Sequence, residues 1–143
     1  MYLAQKFDAF LPRDVTAQAQ CLSWLFWQVG SAPYLGSFGY FYKFAPEKIK
    51  SVIDRHTMEV KRQLDVIDRH LAENEYFCGN EYTIADIAIW PYYNTLLFED
   101  GYGASEFIDA NSYTNVGRWA KHVMERKAAK LGYSGRTTPY DPR

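Results

Sequence analysis

Three groups of residues have the types and spacing to do chemistry. The first is Thr83-Ile84-Ala85-Asp86, a hydroxyl and a carboxylate three residues apart at the head of an apolar run. There the Thr83 side chain can accept from the Asp86 backbone N–H while the carboxylate reaches back to the Thr83 N–H. This is a capping box with Asp in the place usually held by Glu or Gln, and it accounts for both residues without catalysis. The second group is Arg55, Arg62 and Arg69, on one stripe of a helical pattern. A guanidinium there can bind an anion bidentately or stay a solvated charge beside Glu59. The third is Cys21 and Cys78, far apart in sequence, with no Cys-x-x-Cys; each reads as a small buried hydrophobe. His56, His70 and His122 lack metal-ligand spacing, so no metal is expected. No Ser-His-Asp arrangement can be argued.

The elements that must position these groups are helical. The chain has 143 residues, enough for one domain, and such a chain buries about two-thirds of its unfolded surface. Its net charge of −1 gives no bulk attraction to nucleic acid. No apolar run approaches the roughly 18 residues that span a bilayer. The start lacks a signal peptide's basic and apolar regions, so a reducing cytoplasm is expected. Aromatics make up 17%, enough that some should face a pocket or a partner as well as the core.

Residues 2–7 read as the end of a helix, broken at Leu11-Pro12-Arg13. Asp14 can cap a helix that runs to about Val29 and stops at Gly30, carrying Val15, Leu22, Leu25, Phe26 and Val29. Gly30, Pro33, Gly36 and Gly39 then predict an aromatic loop over 30–46. Pro46 suits a first helical turn. A long helix should run from there to about Asn74, with Ile49, Val52, Ile53, His56, Val60, Leu64, Ile67 and Leu71 inward. On its wetter face Lys61–Asp65 and Asp65–Arg69 have ion-pair spacing. Thr83 opens an almost wholly apolar helix, with Tyr82 and Ile87 spaced as a hydrophobic staple. Pro91 should kink it or loosen one turn. Gly101 and Gly103 open a loop, another helix spans about Tyr113 to Arg126, with Val116, Trp119, Ala120 and Val123 inward, and a short segment, Lys127 to Leu131, can continue it. The tail 132–143 should be loosely held.

The string Phe77-Cys78-Gly79-Asn80-Glu81-Tyr82-Thr83-Ile84-Ala85-Asp86-Ile87 resembles the signature of the glutathione S-transferase C-terminal domain. Trp24-Leu25-Phe26-Trp27-Gln28-Val29-Gly30, Phe44-Ala45-Pro46 and Ile53-Asp54-Arg55-His56-Thr57-Met58-Glu59-Val60-Lys61-Arg62 are similar to its bacterial nu-class, Ure2-like branch. Trp119 and Glu125-Arg126 fit as well. The resemblance implies an all-α bundle of about five helices in a single domain over 1–143, with 1–12 a remnant of a preceding helix and linker. It also implies that the thioredoxin-like half, with its thiol-activating residue and cis-proline, lies upstream of Met1.

The function implied is that of the helical domain of a glutathione transferase or glutathione-dependent disulfide reductase. It would form the second wall of the glutathione and hydrophobic substrate cleft and be inactive alone. The alternative is a non-catalytic interaction or dimerisation module of the same type. By resemblance Arg55 reaches a glutathione carboxylate. Gln28 lies near glutathione, or else bonds backbone carbonyls at a helix end. Trp27, Tyr34 and Phe44 line the electrophile site. Phe44 and Lys43 depart from the Tyr and His common in relatives, which removes one hydroxyl. Thr83 and Asp86 are structural. Glutathione would be a substrate, supplied with the other half. The partners would be a second copy or a thioredoxin-like domain, together with a small electrophile or disulfide. Lys127 stands where the family commonly has proline, so the last two helices are expected to run together.

Overall fold

The computed structural model describes residues 1–98 and 102–134. Among the described residues six α-helices make an all-α bundle: α1 Tyr2–Phe7, α2 Val15–Gly39, α3 Lys50–Glu73, α4 Ile84–Leu97, α5 Thr114–Glu125 and α6 Lys127–Ser134. A π-helical turn, Tyr40–Phe44, extends α2. Between α3 and α4 the described chain has only isolated bridges, Tyr76 with Gly79 and Cys78 with Glu81. Gly79 closes that turn at φ +77°, a left-handed conformation that favours glycine.

Helix α4 is the buried centre, packed on α2 and α5. It starts as the sequence predicts: Thr83 and Asp86 form the capping box. Asp86 is fully buried. Its Oδ2 accepts from the Thr83 N–H at 2.9 Å and from the Thr83 hydroxyl at 3.2 Å. Its Oδ1 accepts from the Phe77 N–H at 3.1 Å and from Trp119 Nε1 at 2.9 Å. Burial holds this carboxyl above the ordinary carboxylate range, and the hydrogen bonds pull it back only in part. The helix continues through Pro91 without a break.

Several expectations are corrected. The segment 30–46 is not a loop: α2 runs on through Gly30 and Pro33 to Gly39. The cause is tertiary burial, because Ser31, Ala32, Leu35 and Phe38 face inward at helical spacing and outweigh the breakers. Exposed on the same helix are Val15, Phe26 and Val29. Helix α3 starts at Lys50 rather than Pro46, after Ala45 takes the extended backbone expected before proline. Its stripe is fully buried only from Val60 through Leu71, and Ile49 is exposed. The polar-face pairs differ too: Lys50 bonds Asp54 and Arg62 bonds Glu59, while Arg69 donates to the backbone carbonyl of Asp65. Helices α5 and α6 do not merge, because Arg126 is extended and breaks them. Val116, Trp119, Ala120 and Val123 are buried as expected. Gly101 and residues 135–143 of the tail lie outside the described residues.

Helix α5 begins without a local side-chain cap. Asp68 of α3 supplies one across the bundle: its Oδ1 accepts from the backbone N–H groups of Asn115 and Val116 at 2.9 and 3.1 Å. In return Arg118 donates to the Leu71 and Asn74 carbonyls at the end of α3. At the end of α2, Gly39 lies under the Tyr102 ring, where an added Cβ would come within 2.2 Å of it. Cys21 is fully buried, and Cys78 Sγ lies 3.4 Å from the Thr83 hydroxyl oxygen.

Asp86→Ala strands several buried donors and should cost on the order of 3 kcal/mol in urea unfolding, against about 1 kcal/mol for Thr83→Ala. Gly39→Ala should destabilise by about 1–2 kcal/mol through overpacking. In a Tyr102→Ala background the same change should become stabilising, because only helix propensity remains. Burial pushes the Cys78 thiol up from 9.0 to about 12. The fold therefore favours the thiol, a contribution fully present below pH 9 and lost only toward 12. Labelling of the native chain by an aromatic disulfide reagent at pH 8 should be roughly a hundredfold slower than in urea.

Candidate functional site

Helix α2 has a cleft on each flank. The first, of about 710 Å³, lies between Tyr34 of α2 and the face of α3 from Ser51 to Arg62. Helical spacing sets Arg55, Glu59 and Arg62 on that face. Arg62 donates to both Glu59 oxygens, at 2.9 and 2.6 Å. That bond, more than any other influence, holds the Glu59 carboxyl below the ordinary range. Glu59 also accepts from Gln63 Nε2 at 3.0 Å. Gln63 is fully buried; it donates to the Ser31 carbonyl at 3.1 Å and accepts from the Tyr93 hydroxyl at 3.0 Å. Burial drives the Tyr93 phenol far above its usual range, so it keeps its proton and serves as donor. A chain of bonds thus runs from the core of α4 to the rim of the cleft.

Arg55 is exposed and makes no hydrogen bond or ion pair among the described residues, although its charge helps to lower Glu59. His56 Nδ1 lies 2.8 Å from the Val52 carbonyl. A carbonyl only accepts, so Nδ1 carries a proton. The imidazole lies between the rings of Tyr34 and Phe41, at 6.4 and 5.2 Å. The arrangement can take an anionic group on Arg55 without breaking an existing pair. It offers binding rather than a nucleophile.

The second cleft, of about 620 Å³, lies between α2 and α4 and is mostly apolar. Gln28 is here, with Val29, Pro33, Tyr92 and Tyr102. The predicted site residues are therefore divided. Arg55 and Tyr34 share the first cleft, and Gln28 lies in the second. Trp27 is half-buried and stacks on Tyr93, with ring centroids 6.3 Å apart. Phe44 is exposed on the π-turn, edge-on to Tyr102. Thr83 and Asp86 line neither cleft. Sequence reasoning missed Gln63 and Tyr93. The signal for Gln63 is an amide at a core position between Val60 and Ile67; Glu59 and Arg62 carry the i,i+3 spacing of an ion pair.

Comparison with known proteins bears on the family and the fold. The family model for the glutathione S-transferase C-terminal domain matches residues 22–127. The disulfide-bond oxidoreductase YghU of Escherichia coli is 52% identical over 133 residues, covering 92% of this chain and 46% of that protein. The glutathione transferase YghU of Streptococcus pneumoniae, solved with glutathione, superposes with a TM-score of 0.88 at 52% identity, covering 92% of this chain and 51% of that one. A glutathione transferase of Pseudomonas putida, solved with glutathione disulfide, gives 0.85 at 36% identity, covering 92% and 57%. The chain spans about half the length of these relatives. It belongs to the glutathione S-transferase family, as a C-terminal helical domain.

Proposed function

We propose that this domain forms the second wall of the glutathione and hydrophobic substrate cleft of a glutathione-dependent disulfide reductase or transferase, in the cytoplasm, and that it does not turn over alone. The observation that carries the reading is Arg55, a guanidinium with no partner among the described residues at the mouth of the first cleft. A carboxylate is the natural complement, since two parallel N–H donors match its two oxygens. Glutathione carries two carboxylates and a thiol. The thiol is the reacting group, and a thioredoxin-like domain would stabilise its thiolate. Residues of this chain would bind and orient. Arg55 takes the carboxylate, and Arg62 is kept straight by Glu59, Gln63 and Tyr93 behind it. The apolar flank holding Gln28 and Tyr92 would receive the second substrate. Support comes from the bound glutathione and glutathione disulfide of the related structures.

A second reading, an interaction or dimerisation module, draws on the exposed apolar side chains of α2, with Phe26 75% and Val29 66% exposed. A second copy or a thioredoxin-like domain would cover them. A chain that stays monomeric by size exclusion at all concentrations counts against self-association.

Glutathione added to the labelled chain should shift amide resonances around Tyr34, Arg55 and Glu59. Arg55→Ala should weaken that binding by about tenfold, the loss of one charge-assisted contact. Shifts confined to other faces, or an affinity that Arg55→Ala leaves unchanged, would remove the basis of the reading. Conjugation and disulfide reduction by the chain should not exceed a glutathione-only control.

A further inference from the structure

The first cleft contains an imidazole, His56, held by one of its two ring nitrogens. It lines the cleft one residue after Arg55 and is half-buried. Its Nδ1 lies 2.8 Å from the Val52 carbonyl, one turn back along α3. That carbonyl keeps a proton on Nδ1 in either charge state, so the ring gains and loses its second proton at Nε2. Nε2 is on the opposite edge of the ring and makes no hydrogen bond among the described residues. Tyr34 and Phe41 hold the ring between them, with centroids 6.4 and 5.2 Å away. The imidazole is therefore in place before any ligand arrives, and little rotamer freedom is left to lose on binding.

The groups around the ring leave a charge on it unneutralised. From α2 it meets Tyr34, and from the π-turn Phe41, against which Tyr40 packs. Lys43 on that turn lies over the Phe44 ring instead. Neither element brings it a carboxylate. From α3 the cleft receives Asp54, Arg55, Glu59 and Arg62. Asp54 is paired with Lys50. Glu59 stands one turn beyond His56, but both its oxygens accept from Arg62 and one of them also from Gln63. Among the described residues neither acid forms an ion pair with His56. A protonated His56 would thus stand beside the Arg55 guanidinium with both nearby acids already engaged. An added anion relieves that arrangement, because an opposite charge favours the charged form of the ring.

Building on the glutathione reading of this cleft, we propose that His56 is its second anion-binding residue. Its imidazolium joins Arg55 against the ligand's carboxylate, so glutathione binds more tightly in mild acid. The direction is set by linkage. Binding beside Nε2 takes up a proton, so affinity falls as pH rises through the imidazole titration and levels off above it. Of the residue types lining the cleft, histidine is the one that ordinarily changes charge between about pH 6 and 8.

The test is calorimetric titration with S-methylglutathione, whose blocked thiol cannot ionise, from about pH 6 to 8, beside the histidine Cε1–H resonances of the native chain. Affinity should fall by about threefold over that range, and His56→Gln should flatten the dependence. In the native chain, saturation with the ligand should move the His56 titration midpoint up by about 0.7 pH unit. The midpoints of His70 and His122, which face Phe77 and Tyr76, should stay in place. The resonance measurement needs no variant, so it decides the matter even if His56→Gln loses its near-UV circular dichroism. An equal pH dependence in a folded His56→Gln chain, or a His56 midpoint that bound ligand leaves unmoved, would overturn the proposal and leave the glutathione reading standing. Absence of binding at every pH would overturn both.

Discussion

The buried carboxylate of Asp86 is the constraint on which the rest of the structure depends. Among the described residues it has no ion-pair partner, so taking it out of water costs several kcal/mol that hydrogen bonds must offset. Four donors from Phe77, Thr83 and Trp119 do so. Bonds to a charged acceptor are worth about 1.5–3 kcal/mol each, so the set offsets the cost in part, and each bond lost adds to what is left. The donors come from the turn before α4, from its N-cap and from the middle of α5. Satisfying one side chain therefore fixes three segments at once. Helix α4 then carries Tyr93 to Gln63, Pro91 and Thr95 to one wall of the apolar cleft, and Trp90 Nε1 to the Ala120 carbonyl.

Helix α2 divides what the fold can recognise. On its α3 side the surface is charged and braced from within, because Gln63 joins the Tyr93 phenol to the Glu59–Arg62 pair. On its α4 side the surface is apolar, with Gln28 as its amide. The two flanks suit different ends of an amphipathic substrate. No side chain on one flank substitutes for a loss on the other.

The parts of this fold that were legible in the sequence are those governed by neighbours a few residues apart. The Thr83–Asp86 box, the Val60–Leu71 stripe and the inward face of α5 all follow from local spacing. The segment 30–46 misled because its glycines and Pro33 are local signals, whereas its helix is held by burial against α3 and α4. Even there Tyr34, Phe38 and Tyr42 recur every four residues, a helical period that runs through the breakers. Gln28 and Arg55 were grouped by likeness to a family, and which flank of α2 each faces depends on helix phase across a predicted loop. The α5–α6 break survives without proline because α6 finds its own packing, with Ala129 and Tyr133 against the core.

The cap that Asp68 lends to α5 bears on the order in which the bundle can form. Helices α2 and α4 carry their start signals within three residues, at Asp14 and Thr83. Helix α5 borrows its signal from a residue 47 positions earlier. That bond forms only after a long loop has closed and α3 is already helical, so its entropy is spent before it returns anything. Helix α5 is thus expected to join late in folding, so that loss of the Asp68 cap speeds opening of the bundle more than it slows its formation.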